Sequence, residues 1–352
     1  MPDIRLAVIG VGNCCSALVQ GIQYYGDEKP SLGLIHPRLG GYCISDIRFV
    51  AAFDVDDRKV GQDLSQAIFS KPNVAAKFCN VPHLGVPVEC GPVLDGVHGP
   101  LRDVIKVSRA QPAEVNRILQ DTGAEIVLNL LPVGANRATR WYAEQSLKAG
   151  CAFINATPTA LASDRHWAKR FSESKLAVAG DDLMDQIGAT IFHRAILSFL
   201  NERGVHVDET YQLDVGGGTE SLSTLARAKN VKRKIKTVAV QSDLPYKTRL
   251  VAGTTDYVPF LENRRDNFLW VKGSYFGRAE LAIDIRFSAS EAENAGSVLL
   301  DVIRTTRIAV DRGVSGPLVS VSAYGFKRPP VQVPLNTAQQ WFNEFIEGER
   351  SE

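Results

Sequence analysis

A short apolar run, RLAVIG at residues 5–10, passes straight into G-V-G-N-C-C at 10–15 and then into a stretch of helical spacing. That order of strand, glycine turn and helix constrains the fold more than any other feature. A strand whose end opens a helix must join a parallel sheet through a crossover, with the helix packed on the sheet face. Asn13 reads as the N-cap, and Leu18, Ile22 and Tyr25 recur on one helical face. Further apolar runs at 48–56, 104–108, 125–134, 151–158 and 176–182 read as buried strands, with helical patterns such as PAEVNRILQDTG and RATRWYAEQSLKAG between several of them. The alternation predicts an α/β fold with a Rossmann-like doubly wound sheet.

After about residue 200 the pattern changes. Leu281, Ile283, Ile285 and Phe287 alternate with Ala282, Asp284 and Arg286, which reads as a half-buried strand, and TYQLDVGGG, NFLWVKGSYF and AELAIDIRFS together predict a mixed or antiparallel sheet. NAGSVLLDVIRTTRIAVDRG at 294–313 returns to helical spacing, and the last residues, EGERSE, read as a frayed tail. The predicted organisation is a nucleotide-binding domain over 1–200, an inserted α+β mixed-sheet domain over 201–293, and a segment over 294–352 that packs back on the first.

The glycine motif carries chemistry as well as topology. Gly10 permits the tight turn, Gly12 lets the backbone approach a pyrophosphate, and the helix N-terminus offers N–H groups and a positive dipole. Cys15 stands where a third glycine is usual and is small enough for close packing. Asp54 ends the second strand, placed to accept hydrogen bonds from a ribose, and a carboxylate there repels a 2′-phosphate. NAD is therefore expected over NADP, although Arg58 and Lys59 lie beside it. The spacing from Gly10 to Asp54 is long because GDEKPSLGLIHPRLGGY is inserted between them.

The stretch ARAKNVKRKIKTVAV at 226–240 sets six cations in ten positions, in a chain with 40 basic and 39 acidic residues. A solvated surface, a nucleic-acid patch and a catalytic cluster compete as explanations. Balanced charge and the lack of interleaved aromatics disfavour nucleic acid. Lys232 and Lys236 are four apart and share a face if the stretch is helical; mutual repulsion would then lower both pKa values. No signal peptide or membrane-length apolar run is visible, so a cytoplasmic protein is expected. The six cysteines follow no metal or disulfide spacing and the six histidines are scattered, so no metal site is expected.

VGNCCSALVQGIQYY, AAFDVDDRKVGQDLSQAIF, GPVLDG, LPVG, GDDLMDQIGAT, DVGGG, KIKTVAV and SAYGFKRPP occur in the order found in myo-inositol-1-phosphate synthases of the short bacterial and archaeal form. The resemblance runs from about residue 4 to 333. It implies an NAD-dependent, redox-neutral cyclisation of glucose 6-phosphate: oxidation at carbon 5, enolisation at carbon 6, aldol closure on carbon 1, and re-reduction at carbon 5. It places Cys14, Leu131, Pro132 and Asp181 with Gly10, Gly12, Asn13 and Asp54 at the NAD site. It assigns Lys327 and Lys236 to the carbon-5 oxygen and the phosphate, Lys232 to the aldol carbonyl, and Asp182 as their carboxylate partner. Gln186, Gly188, Ala189 and Thr190 would cradle the phosphate, with Arg265 in place of a lysine. A homo-oligomer, a tetramer, is also implied.

The departures from the family pattern gather at the substrate end. Arg265 cannot act as a neutral base. Met184 and Asp185 replace a Lys-Ser pair, Gly218, Glu220 and Ser221 replace Asn, Asp and Phe, and Glu291 replaces Asp. These residues are expected to set substrate choice. The alternatives weighed are cyclisation of fructose 6-phosphate to a five-membered ring, an ordinary dehydrogenase, and a non-catalytic paralogue.

Overall fold

The structure, a computed structural model, describes residues 3–26 and 31–352. Part of the inserted segment noted above, residues 27–30, lies outside the described residues. In chain order the strands are β1 Ile4–Ile9, β2 Ile47–Asp54, β3 Val88–Cys90, β4 Ile126–Asn129, β5 Ala152–Asn155, β6 Ala177–Gly180, β7 His206–Gly216, β8 Arg249–Tyr257, β9 Arg264–Tyr275, β10 Ala279–Ser290 and β11 Gly316–Pro317. The helices are α1 Asn13–Tyr25, α2 Leu64–Ala67, α3 Leu101–Val104, α4 Val115–Asp121, α5 Asn136–Ala149, α6 Arg165–Glu173, α7 Ala189–Glu202, α8 Thr219–Ser223, α9 Lys229–Gln241, α10 Glu291–Asp311, α11 Val319–Gly325 and α12 Leu335–Glu347.

The first sheet runs β11-β6-β5-β4-β1-β2-β3, with its pairs parallel. The chain moves outward from β1 through β2 to β3, then returns to β4 on the other side of β1 and moves outward again. That reversal leaves a crevice beyond the carboxyl ends of β1 and β4, where ligands of such sheets bind. Ile9 pairs with both Phe53 and Asn129, so the glycine loop, Asp54 and the segment after β4 emerge at one level. Apolar side chains from both faces of the sheet are fully buried, Leu6 and Leu128 against α10 residues on one side and Phe153 against Phe171 on the other.

The second sheet runs β10-β9-β7-β8 and is mixed, because β7 and β8 are parallel while the other pairs are antiparallel. Residues 189–200 fall within the first unit by sequence pattern, yet α7 packs Leu197 and Leu200 against Val207, Val240 and Val271 of the second. We therefore propose 188 rather than 200 as the border between the two units. In the C-terminal segment, α10 lies along α1, and β11 extends the parallel sheet.

Three local expectations are corrected. The run at 104–108 is not a strand: α3 ends at Val104, Val107 makes only an isolated bridge to Asp56, and the edge strand is β3 instead. The tail is not frayed, because the Glu352 carboxylate accepts a hydrogen bond from the Ser320 N–H and Arg350 stacks over Trp341. Asn13 is not the N-cap of α1; Gly12 is, and the Asn13 side-chain oxygen Oδ1 accepts from the N–H groups of Val74 and Ala75.

Candidate active site

A cavity of about 250 Å³ opens at the crevice and joins the two units. At one end lie Gly10, Gly12, Asn13, Cys14, Asp54, Leu131 and Pro132; at the other lie Asp182, Asp185, Gly218, Glu220, Lys232, Arg265, Glu291 and Lys327. Most residues that the sequence singles out therefore meet in one place.

The first end suits a dinucleotide. Gly10 has φ +90°, and a Cβ there would meet the Leu130 carbonyl oxygen at 2.8 Å, so the turn requires glycine. A Cβ on Gly12 would meet nothing within 4 Å, which leaves the backbone at the start of α1 open to close approach. No side chain among the described residues caps α1, which leaves the first N–H groups of the helix available to a ligand. Cys15 is fully buried in the apolar cluster below, as a small third residue of the motif should be. Asp54 accepts hydrogen bonds from the Val11, Val55 and Asp56 N–H groups and so braces the loop as well as facing the cavity. Arg58 is held in a two-point contact by Asp56, 2.8 and 2.6 Å, which takes it away from any 2′-phosphate. Lys59, buried, donates to the Val11 carbonyl at 2.7 Å and to Asn73 at 2.9 Å.

Asp181 does not belong to this end. Its carboxylate is fully buried and accepts from the Leu161, Ala162 and Ser163 N–H groups, the Ser163 hydroxyl and Asn155. It fixes the loop after β5 instead of facing the cavity, so its expected role as a cofactor ligand is corrected.

At the other end, α9 explains the basic stretch. Lys232, Ile235, Lys236, Ala239 and Val240 form its buried face, while Lys229, Arg233 and Lys234 point to solvent. The six cations are thus a mixed set, part site and part surface. Lys232 Nζ donates to Asp182 Oδ1 at 2.8 Å and lies 3.3 Å from Glu220 Oε1. Lys327 Nζ donates to the Leu183 carbonyl at 2.5 Å and lies 3.9 Å from both Asp182 Oδ1 and Asp185 Oδ2. Arg265 Nη2 is shared between Glu220 Oε2 and Glu291 Oε1, each at 2.5 Å, with the Ser221 hydroxyl at 3.0 Å. Asp182 Oδ2 and Glu291 Oε2 are buried without a hydrogen-bond partner among the described residues.

The electrostatics reverse one expectation. Burial alone would pull Lys232 down, but Asp182 and Glu220 outweigh it and hold the ammonium above its ordinary pKa. Lys232 is therefore a permanent cation and hydrogen-bond donor at neutral pH. Lys236 is pulled down chiefly by burial, against the opposing effect of Asp214, to which its Nζ donates at 2.5 Å. It does not line the cavity, although it lies one turn from Lys232. Burial pushes Glu291 up to about 7 despite Arg265, with Glu220 and Asp185 adding to the rise. A carboxyl raised in this way makes the folded state bind more protons than the unfolded chain, so stability should fall as pH rises from about 4.5 to about 7. Urea titrations across that window should show a shallower fall in Glu291→Gln than in the wild type.

The remaining expected substrate residues divide. Met184 is buried away from the cavity, its sulfur accepting from Arg194 Nη1 at 3.7 Å. Gln186, Gly188, Ala189 and Thr190 do not line the cavity; the Gln186 and Ile187 N–H groups already donate to the Asn294 carbonyl and side chain. Asp185, Gly218, Glu220 and Glu291 do line it. A Cβ at Gly218 would lie 3.1 Å from Glu291 Oε2, so the bare backbone there makes room for the longer acid. Lys59, within the motif that contains Asp54, also lines the cavity, and so does Asn73, which lies outside every quoted motif.

The family model for myo-inositol-1-phosphate synthase matches residues 188–292. Inositol-3-phosphate synthase of Mycobacterium tuberculosis is 41% identical over 98% of this chain and 96% of its own length. That of Corynebacterium glutamicum is 40% identical over 97% and 98%. Among solved structures, Ari2 is 27% identical with TM-score 0.78, covering 98% of this chain and 99% of that one. A myo-inositol-1-phosphate synthase-related protein from Thermotoga maritima shares the fold at TM-score 0.79 and 20% identity, covering 98% of both chains. With identity of this level along nearly its whole length, and with the glycine loop and lysine cluster on one cavity, the chain belongs to the myo-inositol-1-phosphate synthase family.

Proposed function

We propose that the chain cyclises glucose 6-phosphate to an inositol phosphate, with NAD as a returning hydride carrier and no net redox change. The observation that carries this reading is the single cavity that joins the Gly10–Gly12 loop to Lys232, Asp182 and Lys327. When bound, NAD would accept a hydride from carbon 5 and give it back at the end of the cycle. The first turn of α1 and the Gly12 backbone would hold its pyrophosphate, and Asp54, which braces the loop, would accept from the ribose.

Lys232 and Lys327 supply N–H donors to oxygens on which negative charge develops, at carbon 5 and at the aldol acceptor. Asp182 fixes both ammonium groups, and its free Oδ2 accepts a hydrogen bond from a substrate hydroxyl. Glu291, poised near neutral pH with a free Oε2, can hold or release a proton beside the sugar. Arg265 stays charged throughout and fixes the two glutamates. Lys236 is paired with Asp214, and neither lines the cavity.

A homo-oligomer, a tetramer by family resemblance, and a cytoplasmic location complete the reading. Phe260 and Phe276, 83% and 95% exposed beside the second sheet, support contact between copies. No helix among the described residues is long and apolar enough to cross a membrane.

Incubation with glucose 6-phosphate and NAD should give a cyclitol phosphate by phosphorus NMR, with no lasting rise in NADH absorbance. A product from fructose 6-phosphate alone, or steady NADH accumulation, would overturn the reading. Asp54→Ala should weaken NAD binding by about 10- to 100-fold, the equivalent of one hydrogen bond to a charged group. Calorimetric titration that finds unchanged affinity would remove Asp54 from the cofactor site.

A further inference from the structure

Five of the six cations in the basic stretch have a place on α9: Lys232 and Lys236 are buried, and Lys229, Arg233 and Lys234 face solvent. Arg227 is the sixth and points elsewhere. It sits in a single π-helical turn, Thr224–Ala228, between α8, which carries Glu220, and α9, which carries Lys232. Its guanidinium reaches across to the first unit and donates to three backbone carbonyls, those of Asp95 at 2.6 Å, Gly134 at 2.7 Å and Gly96 at 3.4 Å. Asp95 and Gly96 follow β3 and Gly134 follows β4, so one side chain ties both loops. Val93, Gly96 and Val97 of the first loop and Leu131, Pro132 and Val133 of the second line the cavity.

Two further contacts fasten the same junction. The Asp95 carboxylate accepts from the Arg137 and Ala138 N–H groups in the first turn of α5, at 2.8 Å each, which locks the two loops to each other. The buried Ser223 hydroxyl, at the end of α8, donates to the Val133 carbonyl at 2.8 Å. Gly134 has φ +88°, and a Cβ there would lie 2.9 Å from Arg227 Nε, so bare backbone admits the arginine. Single π turns recur at functional sites. From this one Arg227 meets the loops of the first unit, while Lys232, five residues on, lines the cavity beside Asp182.

We propose that Arg227 is a positioning residue that pins the second unit against the cofactor loops and so retains NADH between the two hydride transfers. The return of the hydride rests on the function proposed above; the tie between the loops and the second unit does not. A redox-neutral cycle closes only if the same NADH stays for both transfers, since each one lost leaves an oxidised sugar behind. The planar guanidinium suits the task, because its fork of donors spans several carbonyls at once and a single ammonium does not.

The test loads wild type, Arg227→Ala, Arg227→Lys and Ser223→Ala with NADH and follows its dissociation by fluorescence after a chase of excess NAD. Thermal melts establish that each variant is folded. Dissociation should be about tenfold or more faster in Arg227→Ala, the loss expected for hydrogen bonds from a charged donor, with smaller rises in Arg227→Lys and Ser223→Ala. With glucose 6-phosphate and excess NAD, Arg227→Ala should release more NADH per cyclitol phosphate formed than the wild type. A packing role alone would lower the melting temperature and leave that ratio unchanged. Wild-type dissociation in folded Arg227→Ala overturns the proposal; if that variant does not fold, wild-type dissociation in both Arg227→Lys and Ser223→Ala does so. If the wild type cyclises no glucose 6-phosphate while the variants lose NADH faster, the functional reading fails and the clamp stands.

Discussion

Lys232→Ala and Lys327→Ala are each expected to slow cyclisation by about 10²–10³-fold, the usual cost of losing one preorganised donor at a developing oxyanion. Both ammonium groups converge on Asp182 Oδ1, at 2.8 and 3.9 Å, and both lysine side chains are buried. Preorganisation is what makes them effective: their charge is already desolvated, so no reorganisation is needed when an oxygen becomes anionic. Lys232 is the sharper case, because its raised pKa makes it a donor and rules out a neutral general base at physiological pH. Steady-state rates with glucose 6-phosphate, together with NAD titrations, test this. Lys232→Met keeps the aliphatic stem and guards against a packing defect. Wild-type turnover in any of these folded variants would sink the mechanism.

Much of the architecture can be read from period and punctuation. β1, β2, β4, β5 and β6 are continuous apolar runs, as strands buried on both faces must be. β10 alternates strictly because one face packs and the other does not. What escapes this kind of reading depends on tertiary contact. β3 is three residues long and has no pattern to detect. The segment at 104–108 has the composition of a strand but no neighbour to pair with beyond one bridge. The placement of α7 depends on which sheet its apolar face meets, and an amphipathic stripe does not name its partner.

The site shows the same division. Gly10, Gly12, Asp54 and the lysine spacing carry their chemistry locally, and the cavity contains them. Asp181 and Asp182 are adjacent acids that no spacing rule separates; one is consumed by five donors behind the sheet while the other faces the lysines. Lys232 and Lys236 share a helix face, as four-residue spacing requires, but α9 passes from the cavity to the second sheet within that one turn. The first meets Asp182 and the second meets Asp214.

Lys236 therefore carries the opposite expectation to Lys232. Its side chain is 3% exposed and its partner Asp214 is 1% exposed, so Lys236→Ala leaves a buried carboxylate without its cation. Breaking such a pair from one side costs about 3–5 kcal/mol, only partly offset by the Gln212 amide that also donates to Asp214. Replacing both, as Lys236→Met with Asp214→Leu, should recover much of that loss, since the desolvation cost of the pair disappears with it. The pH dependence follows from the lowered pKa. A base whose folded pKa lies below its unfolded one binds more protons when unfolded, so the wild type should gain stability as pH rises from that lowered value toward about 10.4. Urea unfolding of the wild type and the double variant across alkaline pH measures both effects, and the gain should vanish in the double variant. A Lys236→Met protein with undiminished stability but no cyclisation would instead return Lys236 to the substrate, where the family resemblance first placed it.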